Sequence, residues 1–544
     1  SYGRTLNRLC QKCNVQGSSL KDPNVSCQKM SMVKIKKMII GEELEELKKI
    51  DQKNVYSIFF KLCYGGCKFG IFSAACPVEL LHSLESGIMK YILDILMNEK
   101  LKAAGSSVLD SIVQKLVELP RQRFASSGGV IEYPRLLWKN GISNLKDLEA
   151  KYRVGIIFTI VVVAMTRDGR QLFNDLFKND PRKANDVVEC LEMILCYWQW
   201  LKKDKYWKVG NNEGRAKAKN AIRIMLSKII HLLDRQTGNG WSLPKFHEQL
   251  HVPDDIQRNG PPSGTNSHPT EHSHIKMVKE PYKNTQKIKL ELDKQLGNRL
   301  SEGYKIDLVH SIINESRLEK QPNCSFTGFP NTSSKIILHF NNNGDDFHWE
   351  NNIWMNQPED MLQAFARFCS HELFGNENHS WDEPRVLYTE YHRNGVIFRA
   401  HPNYRSKGPW NDWVTLQYER VPWHYKQDKS KAKLSRIAFG MNEEDYETKF
   451  YLPAQIFGFF ESISEETEGE IFALVKFLDE NSVKKTSVLT TEWKAKELGE
   501  TQYGCVDVDS FVRHSLIVPS DETLTTFIEV LPPELWAEQF HDDE

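Results

Sequence analysis

The chain has 544 residues, enough for about two to four domains with large buried cores. Lys and Arg number 71 against 72 Asp and Glu, a formal net charge of −1. No global basic excess therefore points to nucleic acid, and any such surface must be local.

Eleven cysteines, an odd number, argue for a reducing compartment with free thiols or metal ligands. Six of them precede position 77: Cys10, Cys13, Cys27, Cys63, Cys67 and Cys76. The opening residues from Ser1 show no charged n-region followed by an apolar h-region, so no secretory leader is expected.

Residues 1–75 are loop-like, apart from a charged stretch of helical character, GEELEELKKIDQKNV. After Pro77, apolar residues recur at helical spacing through VELLHSLESGIMKYILDILMNEKLKAAG. Most of 100–240 also reads helical. The longest apolar run, VGIIFTIVVVAM from Val154 to Met165, is too short for a bilayer, which needs ~20 residues, and is expected to be a buried core segment. Punctuation is dense from Gly238 to Pro262, and 300–385 is polar and Asn-rich, a spacer with one helix in PEDMLQAFARFCSHELF. From Arg385 onward, short alternating β-branched and aromatic runs between turn signals predict a small β-barrel or sandwich. The tail PPELWAEQFHDDE is acidic.

His247-Glu248-Gln249-Leu250-His251 matches H-E-x-x-H, in which two imidazoles one helical turn apart bind zinc beside a glutamate base. Pro244 precedes the motif and Pro253 follows it, which limits any helix to about two turns. No third histidine follows at metzincin spacing, and Glu271 is the carboxylate that could most plausibly resemble a third ligand. The expectation is that His247 and His251 are a structural pair and not co-ligands, and that Pro253 ends the turn. Zinc has another candidate in Cys10-x-x-Cys13 with Cys27, a knuckle to be completed by Cys63, Cys67 or His82; reduced structural thiols are the alternative.

The stretch KFHEQLHVPDDIQRNGPPSGTNSHPTEHSHIKMVKEPYK resembles a segment of Plavaka-type cut-and-paste DNA transposases, in the CACTA-like superfamily. FGIFSAACPVELLHSLESGIMKYIL looks like that family's D-x-L-H…E.G..KY stretch, RLCQKCNV and YPRLLWKNGISNL are similar to related transposon-derived open reading frames, and the β region resembles the family's FRAHPNYR…W.DWV module. The similarity covers roughly residues 1–300 together with the β-region motif, and its specificity lies in the order and spacing of the motifs.

The resemblance implies an α/β plus α plus β chain. An RNase H-like core (1–100, returning at 241–300) is interrupted by a helical insertion (101–240). A spacer (301–384) and the β-module (385–544) follow. It implies two-metal phosphodiester chemistry with Mg²⁺ or Mn²⁺ held by carboxylates. It also implies DNA as partner, at transposon ends or along the backbone, nuclear localisation, possible homo-oligomers and no membrane.

On the matched positions, Glu79 stands where the family often has Asp, three residues before His82, and Glu271 is the last acidic residue. Pro269 and Pro281 bracket about three helical turns, on which His274, Ile275 and Val278 share the face of Glu271. Lys276, Lys279 and Lys283 fall on another face as candidates for phosphate contact; a merely solvated basic face is the alternative, as it is for the basic stretch 202–228. Asp254 and Asp255 are expected to be structural or solvent-facing. The family's first Asp lies upstream of the Cys pair, where this chain has no acidic residue before Asp22. A transposase-derived copy without cleavage activity is therefore expected, with a non-catalytic DNA- or chromatin-binding protein as the alternative and zinc peptidase as a third class.

Overall fold

The computed structural model describes residues 10, 12–29, 31–49, 77–117, 133–134, 150–178, 180–203, 212–265, 267, 278–283, 285, 291–318, 326–330, 335–340, 347–349, 360–361, 363–365, 368, 385–406, 408–419, 449–462, 469–497 and 502–540. It is a mixed α and β structure of helices and several antiparallel sheets. The chain divides into two compact units. One joins 1–88, 201–219 and 241–325; the other joins 89–200, 220–240 and 326–544.

The first unit is helical among its described residues, and its β pairing there is one isolated bridge between Cys13 and Lys29. Ser31 caps the helix Met32–Ile40 by accepting from the Lys34 N–H. Ile35, Met38 and Ile39 of that helix pack with Leu47 of Leu44–Lys49, forming a small cluster. A wide-wound helix, Leu81–Ile88, buries Leu81, Leu84 and Ile88. The helical run from Pro244 to Asn259 and the long helix Leu292–Leu318 complete this unit.

In the second unit, the run from Val154 to Met165 forms the helix Ala150–Met165. It is apolar on every side and buried almost throughout, as such a helix must be. Thr166 then caps the helix Arg167–Leu176 by accepting from the Gly169 N–H. Gly169 is required there, since a Cβ would fall 1.8 Å from the Val163 carbonyl oxygen. Pro181–Leu201 adds a 21-residue helix. Among the described residues no helix is long and apolar enough to cross a membrane.

The strands of this unit are β1 (Lys335–Phe340), β2 (Phe347–Trp349), β3 (Arg385–Tyr388), β4 (Glu390–Arg393), β5 (Val396–His401), β6 (Trp410–Asn411), β7 (Trp413–Glu419) and β8 (Lys449–Glu461). They continue with β9 (Ile471–Phe477), β10 (Lys484–Lys485), β11 (Thr490–Lys494), β12 (Tyr503–Asp507), β13 (Phe511–His514), β14 (Leu516–Pro519) and β15 (Thr526–Val530).

The largest sheet runs β12-β9-β8-β3-β1-β2, with β7 on β8 and β13 on β7. A second runs β10-β11-β15-β14 and a third β4-β5-β6. Alternation along β8 and β9 buries Ala454, Ile456, Ala473 and Val475 in one core with Phe398, Phe459 and Phe511. Of the expected small barrel or sandwich, the structure shows several antiparallel sheets, with no barrel closed among the described residues. Within the stretch read as a spacer, β1 and β2 pair, and Met361 and Phe365 enter a core cluster with Leu387 and Phe460. The acidic tail forms the helix Pro533–Gln539, whose fully buried Trp536 donates to the Leu531 carbonyl and packs 5.4 Å from the Phe158 ring.

Candidate metal centre

The histidine motif is positioned by a helix that changes its winding. Leu243 is extended, and Pro244 opens the helix Pro244–His247, where a missing N–H is no loss. Glu248–His251 tighten into a 3₁₀ turn, and the chain runs on into the helix Val252–Asn259 with Pro253 in its first turn. Pro253 therefore opens a new helical segment instead of ending the turn. The helix stops at Gly260, whose φ of 80° suits glycine. The two imidazoles lie 5.3 Å apart, centroid to centroid, nearly edge to face.

Opposite them lies the cysteine loop. The Lys12 N–H donates to Cys10 Sγ at 3.4 Å, and the Asn14 N–H donates to the Gln28 carbonyl beside the Cys13–Lys29 bridge. Cys10, Cys13, His247 and His251 converge, with one ligand atom from each lying within 4.8 Å of all the others. Cys13 Sγ is 3.2 Å from His247 Nε2. Tetrahedral zinc, with bonds of about 2.3 Å to sulfur and 2.0–2.1 Å to nitrogen, spaces its ligands by roughly 3.3–3.8 Å. The cluster is therefore close to ligating dimensions and would draw in modestly around an ion. All four residues are at most 6% exposed.

Two observations test the fit of a metal. His251 Nε2 is buried without a hydrogen-bond partner, which is costly for an imidazole nitrogen unless something binds it. Burial also pushes the His251 pKa down to about 3, so the ring is neutral and its lone pair available. The thiols respond to one another. Hydrogen bonds from Cys10 and Cys27, with burial, push Cys13 upward, whereas hydrogen bonds from Cys13 and His247 bring Cys27 down to about 5. The donor set fits a metal ion and fills all four positions with protein. It is the closed arrangement of a structural site, without the open water position that a zinc peptidase requires.

His247 and His251, expected to be a plain structural pair, thus lie together where they could hold a metal with Cys10 and Cys13, and His82, one of the three residues considered to complete the cysteine set, is not in this cluster. His82 turns instead to Glu79, with Nδ1 2.9 Å from Oε2. Cys63 and Cys67 lie outside the described residues. Cys27 stands beside the cluster, with its sulfur 4.0 Å from His247 Nε2.

Asp254 and Asp255, just past His251, are buried, not solvent-facing. Asp255 takes the Lys12 ammonium and the Val78 N–H, and Asp254 pairs with Lys29 at 2.9 Å and Lys219 at 3.0 Å. Lys12 and Lys29 of the cysteine loop are thus fastened to the helix that follows the histidines.

Glu79 precedes the wide-wound helix and acts as its cap. Oε1 accepts from the Leu81 N–H, the Ser267 N–H and the Ser267 hydroxyl, while Oε2 accepts from the His82 N–H and faces the His82 ring. Burial raises its pKa, but the backbone donors of His82, Ser267 and Leu81, with the His82 ring, outweigh it and hold the carboxyl below the usual range. Glu271 and Lys276 lie outside the described residues. Lys279 and Lys283 are exposed at the short helix Glu280–Lys283 and its preceding turn. No family model, curated protein or solved structure matches the chain.

Proposed function

We propose that the chain is a transposase-derived protein that binds DNA without cutting it, its first unit clamped by a structural Zn²⁺ on Cys10, Cys13, His247 and His251. The observation that carries the non-cutting reading is the state of Glu79. A carboxylate offers about four lone-pair sites, and four donors already occupy this one, with the His82 ring beside it. Little remains for Mg²⁺ or Mn²⁺, which the ancestral site would hold through Glu79 and Glu271. Two thiolates and two imidazoles favour zinc over either hard cation.

The RNase H-like core with a helical insertion belongs to this reading through the resemblance, and the union of 1–88, 201–219 and 241–325 in one compact unit supports the return of the chain to its first segment. The approach of Ser267 to Glu79 across 188 positions supports the same order of motifs. DNA contact is supported by the exposed Lys279 and Lys283, which suit backbone phosphates. Nuclear residence and self-association belong to this reading through the transposase resemblance alone.

The test is purified chain assayed for zinc content, for duplex binding by fluorescence anisotropy, and for nicking of supercoiled DNA with Mn²⁺ beside a Glu271→Ala control. One zinc per chain, no nicking, and binding that weakens steeply between about 50 and 200 mM salt are expected. Nicking that disappears in the control would overturn the non-cutting reading, and no binding at low salt would remove DNA as partner.

A further inference from the structure

We propose that Cys27 is the oxidation site of the metal centre, through which a peroxide releases the bound ion. The inference rests on the zinc reading above and adds a residue outside the four-ligand set. Cys10 and Cys13 are sealed at 1% and 0% exposure, whereas Cys27 is partly open to solvent. Its sulfur nonetheless approaches the same His247 Nε2 as that of Cys13, at 4.0 Å against 3.2 Å. Cys13 pairs with Lys29 across the isolated antiparallel bridge, so Cys27 lies diagonally across from Cys13 on the same face of that short pair. A partly exposed cysteine thus stands beside a ligand cysteine that solvent does not reach.

The chemistry follows from that placement. Hydrogen peroxide transfers one oxygen to the Cys27 sulfur, forming the sulfenic acid and releasing water. The Cys13 thiolate then attacks the Cys27 sulfur. The S–S bond forms as the S–O bond breaks, and the departing hydroxide takes a proton to become a second water. Two thiol sulfurs are oxidised and one peroxide is reduced. The ion loses one of its two thiolates, and a Cys1His2 remnant is no longer a closed tetrahedral site.

The experiment uses the full zinc-loaded chain treated with hydrogen peroxide, with released zinc followed by a chromophoric chelator and the products mapped by peptide mass spectrometry. Release should accompany a Cys13–Cys27 disulfide. Cys27→Ser should retain stoichiometric zinc and release it at least about tenfold more slowly, because the cluster thiols of Cys10 and Cys13 are buried. Release from Cys27→Ser at the wild-type rate, or a disulfide joining Cys10 to Cys13 instead, would overturn the proposal. So would a Cys27→Ser protein purified without zinc, since Cys27 would then be a resident ligand. If the wild-type chain carries no zinc, the metal reading fails. Disulfide mapping of the peroxide-treated protein still decides whether Cys27 and Cys13 are the reacting pair.

Discussion

Lys12, between the two cluster cysteines, buries its ammonium against Asp255, four residues beyond His251. Each side chain is only 6% exposed, so the ion pair spans the same two segments as the metal ligands and lies out of water. Removing one partner from such a pair leaves an uncompensated buried charge and costs about 3–5 kcal/mol, whereas replacing both is often close to neutral. Asp255→Asn keeps an acceptor for the Val78 N–H but strands Lys12. It should lower the unfolding free energy by roughly that amount, and Lys12→Met/Asp255→Asn should recover most of the loss. Urea unfolding of the two variants checks this; equal losses would show that the charge on Lys12 is not what matters.

The metal itself should be a large contributor to the stability of the first unit. Ligand atoms are gathered from positions 10–13 and 247–251, so an ion that binds only the folded chain adds stability by mass action. The gain is about 2.7 kcal/mol at a free concentration a hundredfold above Kd. A chelator should therefore lower the thermal midpoint of the wild type and leave that of His247→Ala/His251→Ala unchanged. Protons compete for the thiolates and imidazoles, so the metal content should fall as the pH is lowered. Hydrolysis of a peptide substrate by the zinc-loaded chain would contradict a closed four-ligand site.

The parts of the fold legible in the sequence are those set by local pattern. The apolar run Val154–Met165, read as a buried core segment, is a buried helix, and the β-branched alternation after Arg385 does form strands. Closure of those strands was not legible, because it depends on pairings such as β3 with β8 and β7 with β13, which no local period encodes. The metal centre shows the same limit more sharply. CxxC and HxxxH are each short enough to arise by chance, and their meaning lies in a meeting across 234 positions between Cys13 and His247. Pro253 misleads in that reading. Its ring forbids a donor within a helix, yet in the first turn of a new helical segment no donor is needed. The ion pairs from Lys12 and Lys29 to Asp255 and Asp254 were equally hidden, since nothing local marks a surface charge as one that will be buried.

Glu79 should behave as a capping residue. Its carboxylate satisfies the backbone donors of Leu81, His82 and Ser267, and Glu79→Ala strands all three. The expected loss is about 1–2 kcal/mol in chemical denaturation, with zinc content unchanged. A carboxylate kept for catalysis behaves in the opposite way, because neutralising it in the absence of its metals relieves repulsion and raises stability. A more stable Glu79→Ala protein would therefore return this residue to the catalytic reading.

The second unit carries its own pH dependence at Glu192. This side chain of the helix Pro181–Leu201 is 2% exposed, and burial pushes its pKa from 4.5 up to about 7 despite hydrogen bonds from the Ser487 hydroxyl and the Leu489 N–H. The folded chain thus holds this proton more tightly than the unfolded chain. Its contribution is complete below about pH 4.5 and is lost as the pH rises through 7, because the unfolded state binds fewer protons across that window. The size is on the order of 3 kcal/mol between the two limits. Glu192→Gln retains a neutral, hydrogen-bonding side chain and should be insensitive to this titration. Relative to the wild type, it should be more stable at about pH 8 than at about pH 5, as read from denaturant midpoints. A wild-type-minus-variant difference that is the same at both pH values would show that Glu192 does not carry a raised pKa in the folded chain.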